Sequence, residues 1–236
     1  STIPDDPEIS KLRKRQNLLV TGIIYPSNLS RAKREKFEAR LFLEINSTQT
    51  NAKSNLKQSI NLILKPFSDE SIAKRVLDEL DKSGALSGHI ERFWFDANKL
   101  KTTSVVSYGM KPLVKTSGTD SLFSKWSNTT KDEMVKNEDN ALLDEYVKYC
   151  VGEINKFLNA VKTNVDDDLW TPDKRTKGRF LTTTNINALL ICIRHLISNN
   201  KIAGYNFYNK KLDKFSIKKL GDFHSSQYGR MAEKIY

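Results

Sequence analysis

Residues 17–47 read NLLVTGIIYPSNLSRAKREKFEARLFLEINS, and the way this stretch divides decides the fold class. Its opening run is apolar, rich in β-branched residues, and stops at Pro26, which cannot donate to a ladder; it reads as a strand. Ser30 then stands where a helix cap belongs, and Phe37, Leu41 and Ile45 recur at helical spacing. A strand followed by a helix is a βα unit. The expected class is therefore α+β, mostly helical with a small sheet. The helix closes on an abrupt change, from Leu41, Phe42, Leu43 and Ile45 to Asn46, Ser47, Thr48 and Gln49. Amides and hydroxyls at a helix end can bind phosphate or hold a metal through water. The plainer role is a polar terminus followed by Ser54 as the cap of the next helix.

Working outward, a second helix is expected from Ser54, with Leu56, Ile60, Ile63 and Leu64 on one face. Ser68 caps a third, which Gly84 stops. Residues 89–100, HIERFWFDANKL, alternate in the manner of a strand, and residues 102–115, TTSVVSYGMKPLVK, read as extended, broken by Gly109 and Pro112. Residues 116–132 are Ser/Thr-rich and turn-like, which places a boundary there: 1–115 as one domain and 116–236 as a helical second one. Within the second, residues 138–165 form a long amphipathic helix with Leu142, Tyr146, Tyr149, Ile154, Phe157 and Val161 inward. Residues 182–200 form another, capped by a threonine.

Lys and Arg total 39 against 28 Asp and Glu, a net charge of +11, so an anionic partner is expected and nucleic acid comes first. The basic clusters that would contact it are Lys11, Arg13, Lys14 and Arg15 ahead of the strand, and Lys174, Arg175 and Lys177 in the 166–180 loop. The tail YNFYNKKLDKFSIKK mixes aromatics with lysines, a pattern of base-stacking sites and equally of plain amphipathic elements. Cys150 and Cys192 each sit in an apolar helical pattern, the usage of a reducing, cytoplasmic compartment. With three histidines they make no zinc spacing. Cys192 and His195 stand one turn apart, as a catalytic pair would, but more commonly this is a core thiol beside a partly exposed imidazole. Asp166, Asp167 and Asp168 could ligate magnesium or simply form a solvated loop. No phosphate-binding Gly-rich loop or hydrolase motif is present, and no run approaches the roughly 18 apolar residues of a membrane span.

Four segments carry a family resemblance: LFLEINSTQTNAKSNL (41–56), LKTTSVVSYGMKPLVK (100–115), GRFLTTTNINALLICIRHLI (178–197) and SSQYGRMAEKIY (225–236). Together they resemble the DGQHR-domain family, which includes the DndB-type proteins of DNA phosphorothioation islands and is similar to the ParB/sulfiredoxin fold. The resemblance spans about Leu18 to Tyr236. The naming motif, Asp-Gly-Gln-His-Arg, is missing. In the family it lies shortly before a strand like residues 17–25, so this chain is expected to be the carboxy-terminal part of a longer protein.

In ParB-like proteins the equivalent helix carries a Glu-Asn-x-x-Arg element that helps bind a triphosphate and magnesium. The resemblance thus implies a nucleotide site at Glu44, Asn46, Ser47 and Gln49, for ATP or another NTP with magnesium. The match departs at Ile45, which separates Glu44 from Asn46, and at Gln49, which stands where an arginine would; an amide holds phosphate more weakly than a guanidinium. The implied function is a DNA-associated protein of a modification or phage-defence island, regulatory in role, with NTPase activity in the full-length protein. Its partners would be DNA, other island-encoded proteins and, through a sheet edge left open by absent strands, a second copy of the chain. Two alternatives stand beside it: a non-catalytic protein-interaction module built on residues 138–199, and a magnesium-dependent nuclease using Asp166 to Asp168.

Overall fold

The computed structural model describes residues 7–8, 11, 22–49, 54–93, 96–212, 223 and 227–236, without the side chains of 47–49 and 54–55. Helix α1 (Arg31–Gln49) is held by its own surface. Arg31 pairs with Glu35 at 2.7 Å and Arg34 with Glu38 at 2.9 Å, both one turn apart. Among its described side chains only Ala39 is buried, and Phe37, Phe42 and Ile45 are exposed. Tyr25 lies along it, its hydroxyl donating to Glu38 at 3.0 Å and its ring edge-on to Phe37. Helix α2 (Ser54–Leu64) packs on α1 and on α3 (Asp69–Lys82), and Asn61 Nδ2 donates to Glu70 at 3.1 Å. Ser68 caps α3, its hydroxyl accepting from the Ser71 amide at 3.3 Å. Ile72, Ala73, Val76, Leu77 and Leu80 are fully buried. Gly84, at φ 92°, ends this stretch, and a Cβ there would meet the Asn155 amide at 2.2 Å.

The expected sheet is the main correction: no β-strand occurs among the described residues. The first expected strand is described only from Gly22, where the chain is irregular and Ile24 is 96% exposed; residues 17–21 lie outside the described residues. In 89–100 a single isolated bridge joins Ile90 to Leu100. The Asp96 carboxylate takes the amides of Arg92 (2.8 Å) and Phe93 (2.9 Å), which a ladder would have needed, and Asn98 turns the chain at φ 55°. Residues 102–114 are helical rather than extended. This helix, α4, comprises Thr102–Ser104, a π-helical stretch Val105–Met110 and Lys111–Val114. Lys111 donates to Val106, and Pro112, in the first turn of the last segment, is tolerated where its missing donor matters least. Gly109 does not break the helix but lets a neighbouring helix come close. With no sheet among the described residues, the expected open sheet edge has no basis there; the mostly helical part of the expectation stands.

Short helices α5 (Leu122–Lys125) and α6 (Glu133–Lys136) lead to α7 (Asn140–Thr163), whose cap Asp139 accepts from Ala141 and Leu142. Tyr146, Ile154, Phe157 and Val161 are buried as the spacing required; Leu142 and Tyr149 are half-buried, and Cys150 and Leu158 complete the face. Tyr146 packs against Phe123 and Trp126 at 5.3 and 5.1 Å and donates to Val114 O at 2.9 Å. Helix α8 (Thr183–Ser198), capped by Thr182, contacts α4, α7 and the closing α10 (Tyr228–Ile235). The seven-residue α9 (Tyr205–Lys211) seats Tyr208 against Phe157 and leaves Lys210 and Lys211 outside. One buried cluster runs from Ile72 to Ala232, each large apolar side chain contributing about 1.5–3 kcal/mol. No described helix is long and apolar enough to cross a membrane.

Candidate functional site

The beginnings of α4 and α8 open into one cleft of about 690 Å³. One wall is the 91–104 segment. The Ile90–Leu100 bridge closes its base, with Glu91 N donating to Leu100 O and Leu100 N to His89 O, both at 2.9 Å. Asp81 holds its root: one carboxylate oxygen takes the Ile90 amide, the other Arg92 Nε at 2.5 Å. Lys99 Nζ is tied to Gly88 O. This wall is lined by Glu91, Asp96, Lys99 and Lys101, together with Thr103 and Ser104.

The facing wall is 172–183, and its only charged lining residues are Lys174 and Arg179. Two buried aromatics set its course. Trp170 stacks on Phe180 at 5.2 Å and donates Nε1–H to Ala85 O at 2.8 Å. Phe180 N donates to Leu169 O at 2.7 Å, and Thr182 then caps α8 by accepting from Asn185 N at 3.1 Å. The loop between is thus fixed at both ends, which directs Lys174 and Arg179 to the same opening.

Four cations face two carboxylates here, leaving the cleft positive. Among the described residues neither Lys101, Lys174 nor Arg179 has a carboxylate within ion-pair distance. The first-turn amides of α4 and α8 add partial positive charge at the same place. Amide hydrogen bonds from Phe93 and then Arg92 lower the Asp96 pKa, so it stays ionised. Burial, with Lys99 and Lys162 nearby, lowers that of His89. The arrangement suits a phosphate-bearing ligand: positive charge, hydroxyl donors and a concave floor.

Of the basic residues singled out from the sequence, Lys174 lines the cleft. Arg175 turns away and is neutralised by Asp173 at 2.6 Å, and Lys177 is exposed outside the lining. Lys11 is exposed; Arg13, Lys14 and Arg15 lie outside the described residues. The residues of the expected nucleotide site lie on α1, not at the cleft. Glu44 is exposed, and Asn46 donates to Phe42 O at 2.8 Å, one turn back on its own helix. The side chains of Ser47 and Gln49 lie outside the description. Asp166 to Asp168 are exposed around a 3₁₀ turn, and no set of three or more His, Cys, Asp or Glu is grouped to hold a metal among the described residues. Burial pushes the Cys192 thiol up to about 12, which leaves it protonated at neutral pH and a poor nucleophile beside His195.

Sequence reasoning passed over Lys99, Lys101 and Arg179. A usable signal exists: both Lys101-Thr102-Thr103 and Thr182-Thr183-Thr184 put hydroxyls at the start of an apolar helix, and each has a cation within three residues before it. Comparison with protein-family models, curated proteins and solved structures finds no match for this chain.

Proposed function

We propose that the protein binds DNA, gripping its phosphates at the cleft between the 91–104 and 172–183 segments. The observation that carries this is the convergence of Lys101, Lys174 and Arg179, free of ion pairs among the described residues, on the starts of two helices. The net charge of +11 supports it by drawing a polyanion from a distance. The resemblance to the DGQHR family supports the same partner and a regulatory role in a DNA-modification or defence island, with a ParB-like part and an NTP bound with magnesium. The cleft stands apart from Glu44 and Asn46, so DNA binding does not depend on that nucleotide site.

The test is the salt dependence of affinity for a fluorescent DNA. Counterion release makes log K fall linearly with log salt. Lys174→Ala with Arg179→Ala should weaken binding and reduce the slope by about 1 for each phosphate that is no longer neutralised. An affinity indifferent to salt and to these substitutions would sink the reading.

A second reading, a protein-interaction module, is favoured by one observation: Ile24, Phe37, Phe42 and Ile63 are exposed at 40% or more along the segment before α1, α1 and α2. Its binding would survive the cleft substitutions and respond to Phe37→Ser instead.

A further inference from the structure

We propose that the cleft is built for a phosphate monoester on a single nucleotide unit, meaning a 5′-phosphorylated DNA end or a free nucleoside monophosphate, rather than for the contour of a duplex. This rests on the reading of the cleft as a DNA phosphate site and specifies what enters it. Shape is the first argument. A duplex backbone tracks along a convex or gently grooved surface, whereas a concavity of about 690 Å³ falls in the range of about 300–1,000 Å³ typical of small-ligand sites. A chain end or a lone nucleotide fits such a space; a continuous duplex does not descend into it.

Charge is the second argument. Lys99, Lys101, Lys174 and Arg179 against Glu91 and Asp96 leave two positive charges in excess. A bridging phosphodiester carries one negative charge, and a terminal phosphate carries about 1.5 to 2 at neutral pH. The dianion is therefore the better complement. It also offers more oxygens to the Arg179 fork.

The division of charge between the walls is the third argument. The 172–183 wall is purely cationic among its charged lining residues, while both carboxylates stand on the 91–104 wall. Carboxylates at the rim of a phosphate site repel further phosphates but accept hydrogen bonds from sugar hydroxyls and exocyclic amines. The phosphate would sit toward Lys174 and Arg179, with the nucleoside toward Glu91 and Asp96. That polarity suits one nucleotide with one end, and it disfavours a strand passing straight through.

The experiment compares two 3′-labelled single-stranded oligonucleotides of one sequence, one 5′-phosphorylated and one 5′-hydroxyl, with the wild-type chain. Deoxynucleoside 5′-monophosphate serves as competitor and the unphosphorylated nucleoside as its control. The phosphorylated end should bind at least about tenfold tighter, the worth of one or two charge-assisted hydrogen bonds. Arg179→Ala should remove that advantage and Arg179→Lys should keep part of it. Competition by the monophosphate but not the nucleoside identifies the free nucleotide as a source; a preference without competition identifies the DNA end. Equal binding of the two oligonucleotides, with no competition, overturns the proposal, and the salt-dependent DNA binding of the preceding section would then stand alone. Monophosphate binding without any DNA binding would instead support this inference and overturn that section.

Discussion

At Gly109 the backbone of α4 meets α8 so closely that an added Cβ would lie 2.6 Å from Asn187 Oδ1 and 2.7 Å from Leu190 Cδ1. Asn187 is itself fully buried, and among the described residues neither of its amide atoms has a hydrogen-bond partner. An orphaned buried amide costs about 1–3 kcal/mol, so this contact holds two helices together at a local expense. Gly109→Ala should therefore destabilise the chain by about 1–3 kcal/mol through overpacking. Adding Asn187→Ala should recover part of that loss, because the second change removes the unpaired amide and one of the two side-chain obstacles, leaving Leu190 Cδ1. Urea unfolding of the two single variants and the double one tests this; a Gly109→Ala chain as stable as the wild type would contradict the packing described. The sequence suggested Gly109 as a break in an extended piece. Its actual role depends on Asn187, 78 positions away, which no local pattern exposes.

Between elements, Asp120 ties the segment after α4 to α8. Lys115 Nζ meets one carboxylate oxygen at 2.7 Å, and Arg194 donates to the other. The Lys115 hydrogen bond leads and Arg194 adds to it, together lowering the Asp120 pKa to about 2. The folded chain thus keeps Asp120 ionised where the unfolded chain, near the ordinary value of 3.8, would take up a proton. Its contribution to stability is complete above about pH 4 and is lost as pH falls toward about 2. Unfolding measured from pH 5 down to pH 2.5 should show this loss, and Asp120→Asn should flatten the curve in that window while lowering stability above it. An unchanged profile would mean that the pair is not formed.

Element boundaries were the most legible part of the fold. Ser68, Thr182 and the Gly84 stop mark helix ends through chemistry that acts within a few residues. The 89–100 alternation misled for a reason just as local: Asp96 competes for the amides that a strand would have paired. The 102–115 piece misled for the opposite reason, since its helix is stabilised by Val105, Val106 and Met110 buried against other helices.

At the scale of the molecule, burial is uneven. The cluster from Ile72 to Ala232 shields α3, α4, α7 and α8, whereas α1 buries only Ala39 among its described side chains. Amide hydrogen exchange should follow this division: the central turns of α7 and α8 should exchange only through global opening, and α1 should exchange orders of magnitude faster. Equal protection of α1 and α7 would show that α1 is covered by something else in solution.

The sequence by itself determined the periodic helices, the Ser68 and Thr182 caps, the apolar face of α7 and the strong positive charge, because each depends on neighbours one or two turns away or on composition alone. Only the tertiary structure decided that the described chain forms helices without a sheet, that Lys174 joins Lys101 and Arg179 while Arg175 is neutralised by Asp173, and that Asn46 turns back to its own helix. The cleft joins segments some 70 residues apart, held in register by Trp170 on Ala85 and by α4 on α8. Such contacts are selected by packing, and packing leaves no mark in the order of residues that a local reading can recover.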